Sequence, residues 1–97
     1  MPHMNIVKFH VKPELENDFF DAFQNESLHV GQVSGQLVQI AENKFCSIGL
    51  WESQSAMDEA MDDMISFLDT IRHMLITISE DLGVTDPASG PVLIEHN

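Results

Sequence analysis

Apolar residues change their spacing several times along the chain, and each spacing predicts an element. From Asn5 to Val11, Val7, Phe9 and Val11 alternate with Ile6, Lys8 and His10, the period of a strand with one apolar and one mixed face. Lys12-Pro13 ends it. Pro13 suits the first position of a helix, and Glu14 and Glu16 lie where the helix dipole favours negative charge. Leu15, Phe19, Ala22 and Phe23 fall on one side of this helix, opposite Glu14, Asp18, Asp21 and Asn25, and the pattern fades near Glu26. Ser27 to Gly35 shows no period and reads as a loop, bracketed by Gly31 and Gly35, that carries His29. Gln36 to Ala41 and Lys44 to Trp51 then read as a hairpin with its turn at Glu42-Asn43.

The longest periodic signal follows. Met57, Met61, Met64, Leu68, Ile71, Leu75, Ile78 and Leu82 recur at alternating steps of four and three, with Asp62, Asp69, His73 and Glu80 on the other side. Ser53 or Ser55 can cap this helix, and Gly83 can stop it. An unbroken helix from Ser55 to Leu82 would run about 40 Å at 1.5 Å per residue, too long for a domain whose radius of gyration should be roughly 13 Å. A kink is therefore expected near Asp62-Asp63. Gly83 to Pro91 reads as loop, with Asp86-Pro87 and Gly90-Pro91 as turn signals, and Val92 to Glu95 as a short last strand. The order β-α-β-β-α-β defines an α+β chain of the ferredoxin-like kind, an antiparallel sheet with both helices on one face, in a single domain over residues 1–97.

Parity then assigns the two sheet faces. If Val7, Phe9, Val11, Val38, Ile40, Cys46, Ile48 and Leu50 meet the helices, the other face shows Ile6, Lys8, His10, Leu37, Gln39, Phe45, Ser47, Gly49 and Trp51. That set is too apolar to remain wet, and a homodimer packed sheet against sheet would cover it. A one-residue slip in either strand would exchange the sets.

Charge narrows the partners. Lys+Arg number 4 against 16 Asp+Glu, a formal net charge of -12. So few cations provide no footprint for nucleic acid or for an anionic membrane surface. No run of about 18 apolar residues is present, and the first residues lack the basic-then-apolar pattern of a leader. The single cysteine, Cys46, has no partner for an intramolecular disulfide, and a cytoplasmic setting is the expectation. Hydrophobic residues make up 43% of the chain, so its acidity does not signal disorder.

Three segments resemble a known family. These are Ile6-Val7-Lys8-Phe9-His10-Val11-Lys12-Pro13-Glu14, the corner Ile48-Gly49-Leu50-Trp51-Glu52-Ser53-Gln54-Ser55-Ala56-Met57, and the close Leu82-Gly83-Val84-Thr85-Asp86-Pro87-Ala88-Ser89-Gly90-Pro91-Val92. Together they are similar to the antibiotic-biosynthesis-monooxygenase-like proteins, and the corner Trp51-Glu52-Ser53 followed by Ala56-Met57 carries most of the likeness. The resemblance implies a dimeric α+β barrel of ferredoxin-like subunits, each with an apolar cleft between helices and sheet. It also implies oxygenation of quinols or polycyclic aromatics without flavin or metal, or degradation of haem. Haem-degrading members use an Asn on the first strand and a Trp and a His along the second helix. Aligned here, those positions are Val7, Glu59 and Asp69, which disfavours haem chemistry. The tyrosine used by some oxygenase members has no counterpart, because the chain contains none.

Cofactor-free oxygenation needs an electron-rich substrate, a base to deprotonate it and a dry pocket. Histidine is the natural base near neutral pH. His3 and His96 lie at the termini, where mobility is expected, and His73 aligns with Asp69 as a surface ion-pair partner. His10, on the mixed sheet face, is a candidate catalytic residue whose plainer role is at a dimer interface. His29, on a glycine-bracketed loop, can reach a pocket mouth or simply lie exposed. Trp51 can stack on an aromatic substrate or serve as a packing anchor. Arg72 can stabilise a developing oxyanion or pair with Asp69 on the helix surface. Met57, Met61 and Met64 make an adaptable apolar wall that would suit a flat ligand. No histidine pair has helical metal-site spacing, and no phosphate loop or serine-nucleophile motif occurs, so no metal or cofactor is expected. The functional expectation is a cofactor-independent oxygenase of a small aromatic or quinol-type compound; the alternative is a non-catalytic dimeric module that binds a small apolar ligand.

Overall fold

The computed structural model describes residues 1–96. Strand β1 spans His3–Val11, with Phe9 and Val11 buried on the side where the alternation puts them. Pro13–Leu15 forms one 3-10 turn that leads into α1, Glu16–Gln24, with Pro13 in the first turn as expected. Strand β2, Gln32–Ala41, starts four residues before the predicted Gln36, and β3 is Lys44–Trp51 as predicted. The early start puts Gly35 inside the ladder, directly opposite Gly49. Glycine there is a small strand residue and not a loop marker. At the hairpin turn Asn43 takes φ 62°, a left-handed conformation that asparagine tolerates.

Helix α2, Gln54–Glu59, is capped by Ser53, whose Oγ accepts the Ala56 N–H at 3.1 Å. The expected break falls at Ala60, two residues before Asp62, and α3 runs over Met61–Ile71. The second half of the long periodic signal is not helical. Arg72–Met74 is a 3-10 turn, and Leu75–Ile76 forms β4 against His10 and Val11 of β1. Leu75 is buried, and its burial beside Val11 in the ladder outweighs the continuation of a 4-3 spacing whose other members, Ile78 and Leu82, share no helix with it. The last strand is also displaced. β5 is Asp86–Pro91, a segment expected as loop, while Val92 to Glu95 lies outside any strand. β5 pairs with β1 from His3 to Lys8, and Pro87 and Pro91, which lack an N–H, are tolerated because β5 lies at the sheet edge.

The antiparallel sheet has the order β2-β3-β1-β4, with β5 beside β1 beyond β4. This is the ferredoxin-like α+β arrangement, built with three helices because the second one is broken. The radius of gyration is 13.5 Å. No helix among the described residues is long and apolar enough to cross a membrane.

The register corrects the assignment of faces. Phe9 lies opposite Phe45, Val7 opposite Ser47 and His3 opposite Trp51, so the odd-numbered residues of β1 and β3 share a face. Phe45 and Trp51 are buried beneath the helices. Cys46, Ile48 and Leu50 turn outward with Ile6, Lys8 and His10, and Val38 joins them because it pairs with Cys46. In β3 both parities are largely apolar, and the more uniformly aliphatic one suggested the core. The large rings decided otherwise, since Phe45 packs on Phe19 and Phe20 of α1 and Trp51 on Met57 of α2, which fills more of the space under the helices than the aliphatic parity could.

The buried residues form two clusters. Phe9, Val11, Phe19, Phe45, Ile71, Met74 and Leu75 make the larger. Its rings meet edge-on or tilted, with Phe9 and Phe19 centroids 5.6 Å apart and Phe19 and Phe45 5.5 Å apart. Trp51, Met57 and Ala60 make the smaller, at the other end of the sheet.

Candidate functional site

Between the clusters the inner sheet face carries short side chains. Ser89, Asn5, Gly49 and Gly35 lie directly opposite one another in a row across four strands. None of them reaches the helices as a phenyl ring would, and the gap is a cavity of about 880 Å³. That volume is within the range of about 300 to 1,000 Å³ typical of small-molecule sites. Its apolar walls come from both clusters: Phe9, Phe23 and Ile71 on one side, Trp51 and Met57 on the other. Met61 and Met64 complete the methionine wall anticipated from the helical spacing.

One end of the cavity is polar. The Trp51 Nε1–H donates to Asn5 Oδ1 at 2.7 Å. Because the indole nitrogen only donates, this bond fixes which way the Asn5 amide is turned and leaves its NH₂ group as the remaining donor. The hydrogen bond passes over Gly49, where an added Cβ would stand 2.5 Å from Asn5 Oδ1 and 3.0 Å from Trp51 Nε1. Glycine at 49 is therefore a steric requirement of the pair.

His29 enters from the loop between α1 and β2. Its ring stacks on Trp51 with centroids 6.0 Å apart and planes 16° from parallel. The loop is pinned at its end. Gln32 Oε1 accepts the His29 backbone N–H at 3.1 Å, the Gln32 N–H donates to the His29 carbonyl at 3.0 Å, and the Glu52 N–H donates to the Gly31 carbonyl at 2.9 Å. Gly31 has φ 82° and sits so close to α2 that an added Cβ would lie 2.6 Å from the Ala56 Cβ. Loop, strand and helix corner together hold the histidine on the indole.

Of the four candidate residues, Trp51 and His29 meet at the cavity, and the reversed parity of β3 is what brings Trp51 there. His10 lies on the outer sheet face, half-buried, opposite Lys44 and Ile76. Arg72 lies beyond the end of α3, and its Nε donates to Asp69 Oδ1 at 2.8 Å with both side chains largely in water. Neither lines the cavity. His3, expected to be mobile, is instead buried as the first residue of β1 beside Trp51 and Pro91, and its Nε2 has no hydrogen-bond partner among the described residues. Asn5 and Gln32 were not anticipated. A signal for Asn5 existed, since it shares the parity of Val7 and Phe9 yet is a poor strand former. No such signal marks Gln32, because the stretch from Ser27 to Gly35 shows no period.

Among the described residues no group of three His, Cys, Asp or Glu side chains is placed to hold a metal ion. Cys46 is buried.

No family model and no curated protein sequence matches the chain. Solved structures do match it in fold. A provisionally named antibiotic biosynthesis monooxygenase from Chloroflexus aurantiacus superposes with a TM-score of 0.75 at 11% identity, over 100% of this chain and 98% of its own. SnoaB, a cofactor-independent oxygenase from Streptomyces nogalater, superposes with a TM-score of 0.66 at 14% identity, over 97% of this chain and 95% of its own. A dimeric ferredoxin-like protein from an uncultured marine organism gives a TM-score of 0.74 at 10% identity, over 99% and 91% of the two chains. The chain thus has the fold of the antibiotic-biosynthesis-monooxygenase-like structures.

Proposed function

We propose that the cavity takes a flat aromatic compound of the quinol type and promotes its oxygenation without a cofactor. The observation that carries this reading is the convergence of Trp51, Asn5 and His29 at one end of an otherwise apolar cavity of about 880 Å³. Each feature answers a need of the chemistry. An indole face and thioethers bind a flat ring, and apolar walls keep water from the anion that oxygen must meet. His29 serves as the base, taking the proton of a phenolic or activated methylene group. The Asn5 amide NH₂ is the donor for the oxygen on which negative charge develops. The electron-rich anion then reduces dioxygen, one of whose atoms enters the product while the other leaves as water. Structures with this fold include one named as a cofactor-independent oxygenase, which supports the reading.

A homodimer formed through the outer sheet face is part of the same proposal. Val38 is 40% exposed on that face, and Ile6, Ile48 and Leu50 lie with it. The dimeric ferredoxin-like protein of similar fold supports it. The second reading, a dimeric module that binds an apolar ligand and turns nothing over, rests on the same cavity without the role of His29.

Oxygen uptake over a panel of quinols and anthrones tests the proposal. Turnover that falls at least about tenfold in His29→Gln, with ligand binding retained, is the expected result. Binding without turnover would leave the module, and neither turnover nor ligand-dependent change in Trp51 fluorescence would defeat both. The emission is specific to the site because Trp51 is the chain's one tryptophan and tyrosine is absent.

A further inference from the structure

We infer that the cavity selects its ligand by charge, accepting a neutral or amine-bearing aromatic and rejecting the carboxylate analogue. This rests on the cavity's being the ligand site and adds the class of compound it takes. All four cationic side chains lie elsewhere. Lys8 and Lys44 are on the outer sheet face, Lys12 follows β1, and Arg72 is paired with Asp69. Glu26 is the one carboxylate that lines the cavity, and among the described residues no Lys or Arg does. A second, smaller groove is lined by the Glu26 to His29 segment and by Asp63 of α3, so Glu26 and Asp63 share the surface beside this loop.

The physical consequence is asymmetric. An anion buried among Trp51, Met57 and Phe23 loses its hydration and finds no charge to offset the loss. The neutral donors at the polar end, the Asn5 amide above all, can hold a carbonyl or hydroxyl oxygen. An ammonium that projects toward the loop remains near water and meets Glu26. The net charge of -12 works in the same direction, but an exposed field of that kind is screened beyond about 8 Å at physiological salt. Salt therefore separates the lining's contribution from the whole-molecule field.

Calorimetric titration of the intact protein with 1-naphthylmethylamine, 1-naphthylmethanol and 1-naphthoate tests this, at pH 8, where histidine is ordinarily neutral, in low salt and in about 0.5 M salt. The expected result is that the alcohol and the amine bind at least about tenfold more tightly than the naphthoate at both salt concentrations. In low salt the amine should also bind more tightly than the alcohol, and Glu26→Gln combined with Asp63→Asn should remove that advantage. Naphthoate binding within about twofold of the alcohol would overturn the inference while leaving the cavity a ligand site. An amine advantage that survives the double variant would overturn the role given to Glu26. If none of the three compounds binds, the reading of the cavity as a ligand site fails, and the charge selection fails with it.

Discussion

Gly49 sets the geometry of the polar end. Its missing side chain is what allows Trp51 Nε1 to reach Asn5 Oδ1, because a Cβ at that position would stand 2.5 Å from the oxygen. Gly49→Ala should therefore push Asn5 and Trp51 apart, shift the Trp51 emission and weaken aromatic ligands at least about tenfold, at a stability cost of about 1 to 3 kcal/mol from overpacking. Fluorescence and a denaturant melt check this; an unchanged spectrum with unchanged binding would mean that the hydrogen bond does not organise the site. Asn5 was readable in principle, as a polar residue on an apolar parity. The stack of His29 on Trp51 was not, because the two are joined only by how the loop lies against the sheet.

At the scale of elements, the corner between β3 and α2 ties the cavity's aromatic wall to its methionine wall. Ser53 starts α2 by accepting the Ala56 N–H, and the same corner holds Gly31 and with it the loop that carries His29. Ser53→Ala should cost about 1 kcal/mol of global stability. Because α2 has only six residues, hydrogen exchange should also speed up at Ala56 and Met57. Protection that stays at the level of the wild type would show that packing of Met57 alone holds the helix. Of the two caps the sequence offers, Ser53 and Ser55, the structure uses Ser53, and the α2–α3 break falls within two residues of the expected place. Local periodicity failed past Ile71 because Leu75 serves a strand ladder whose partner, Val11, lies more than sixty residues earlier in the chain, a pairing that no local window contains.

For the whole molecule, the two sheet faces divide the work. The inner face is part core and part cavity; the outer one mixes Ile6, Ile48, Leu50 and Val38 with Lys8, His10 and Lys44, and neither core cluster of the described residues includes a residue of it. If two copies pack through the outer face, Val38→Asp should convert a dimer into a monomer in sedimentation analysis, by burying a carboxylate in the interface. It should leave the fold intact, since Val38 is not part of either core cluster. A dimer that persists in this variant would place the interface elsewhere.

The amino-acid pattern by itself determined the α+β class, the order of the first strands and helices, the excess of acidic residues and the cap at the β3–α2 corner. Each of these is a local property, carried by side-chain spacing, capping chemistry or formal charge. Tertiary structure alone decided which face of β3 turns inward, where the last strand lies and which candidates share a site. With both parities of β3 apolar, spacing could not choose between them. The choice was made by the volume between sheet and helices, which Phe45 and Trp51 fill and which Gly35, Ser47 and Gly49 leave open as the cavity.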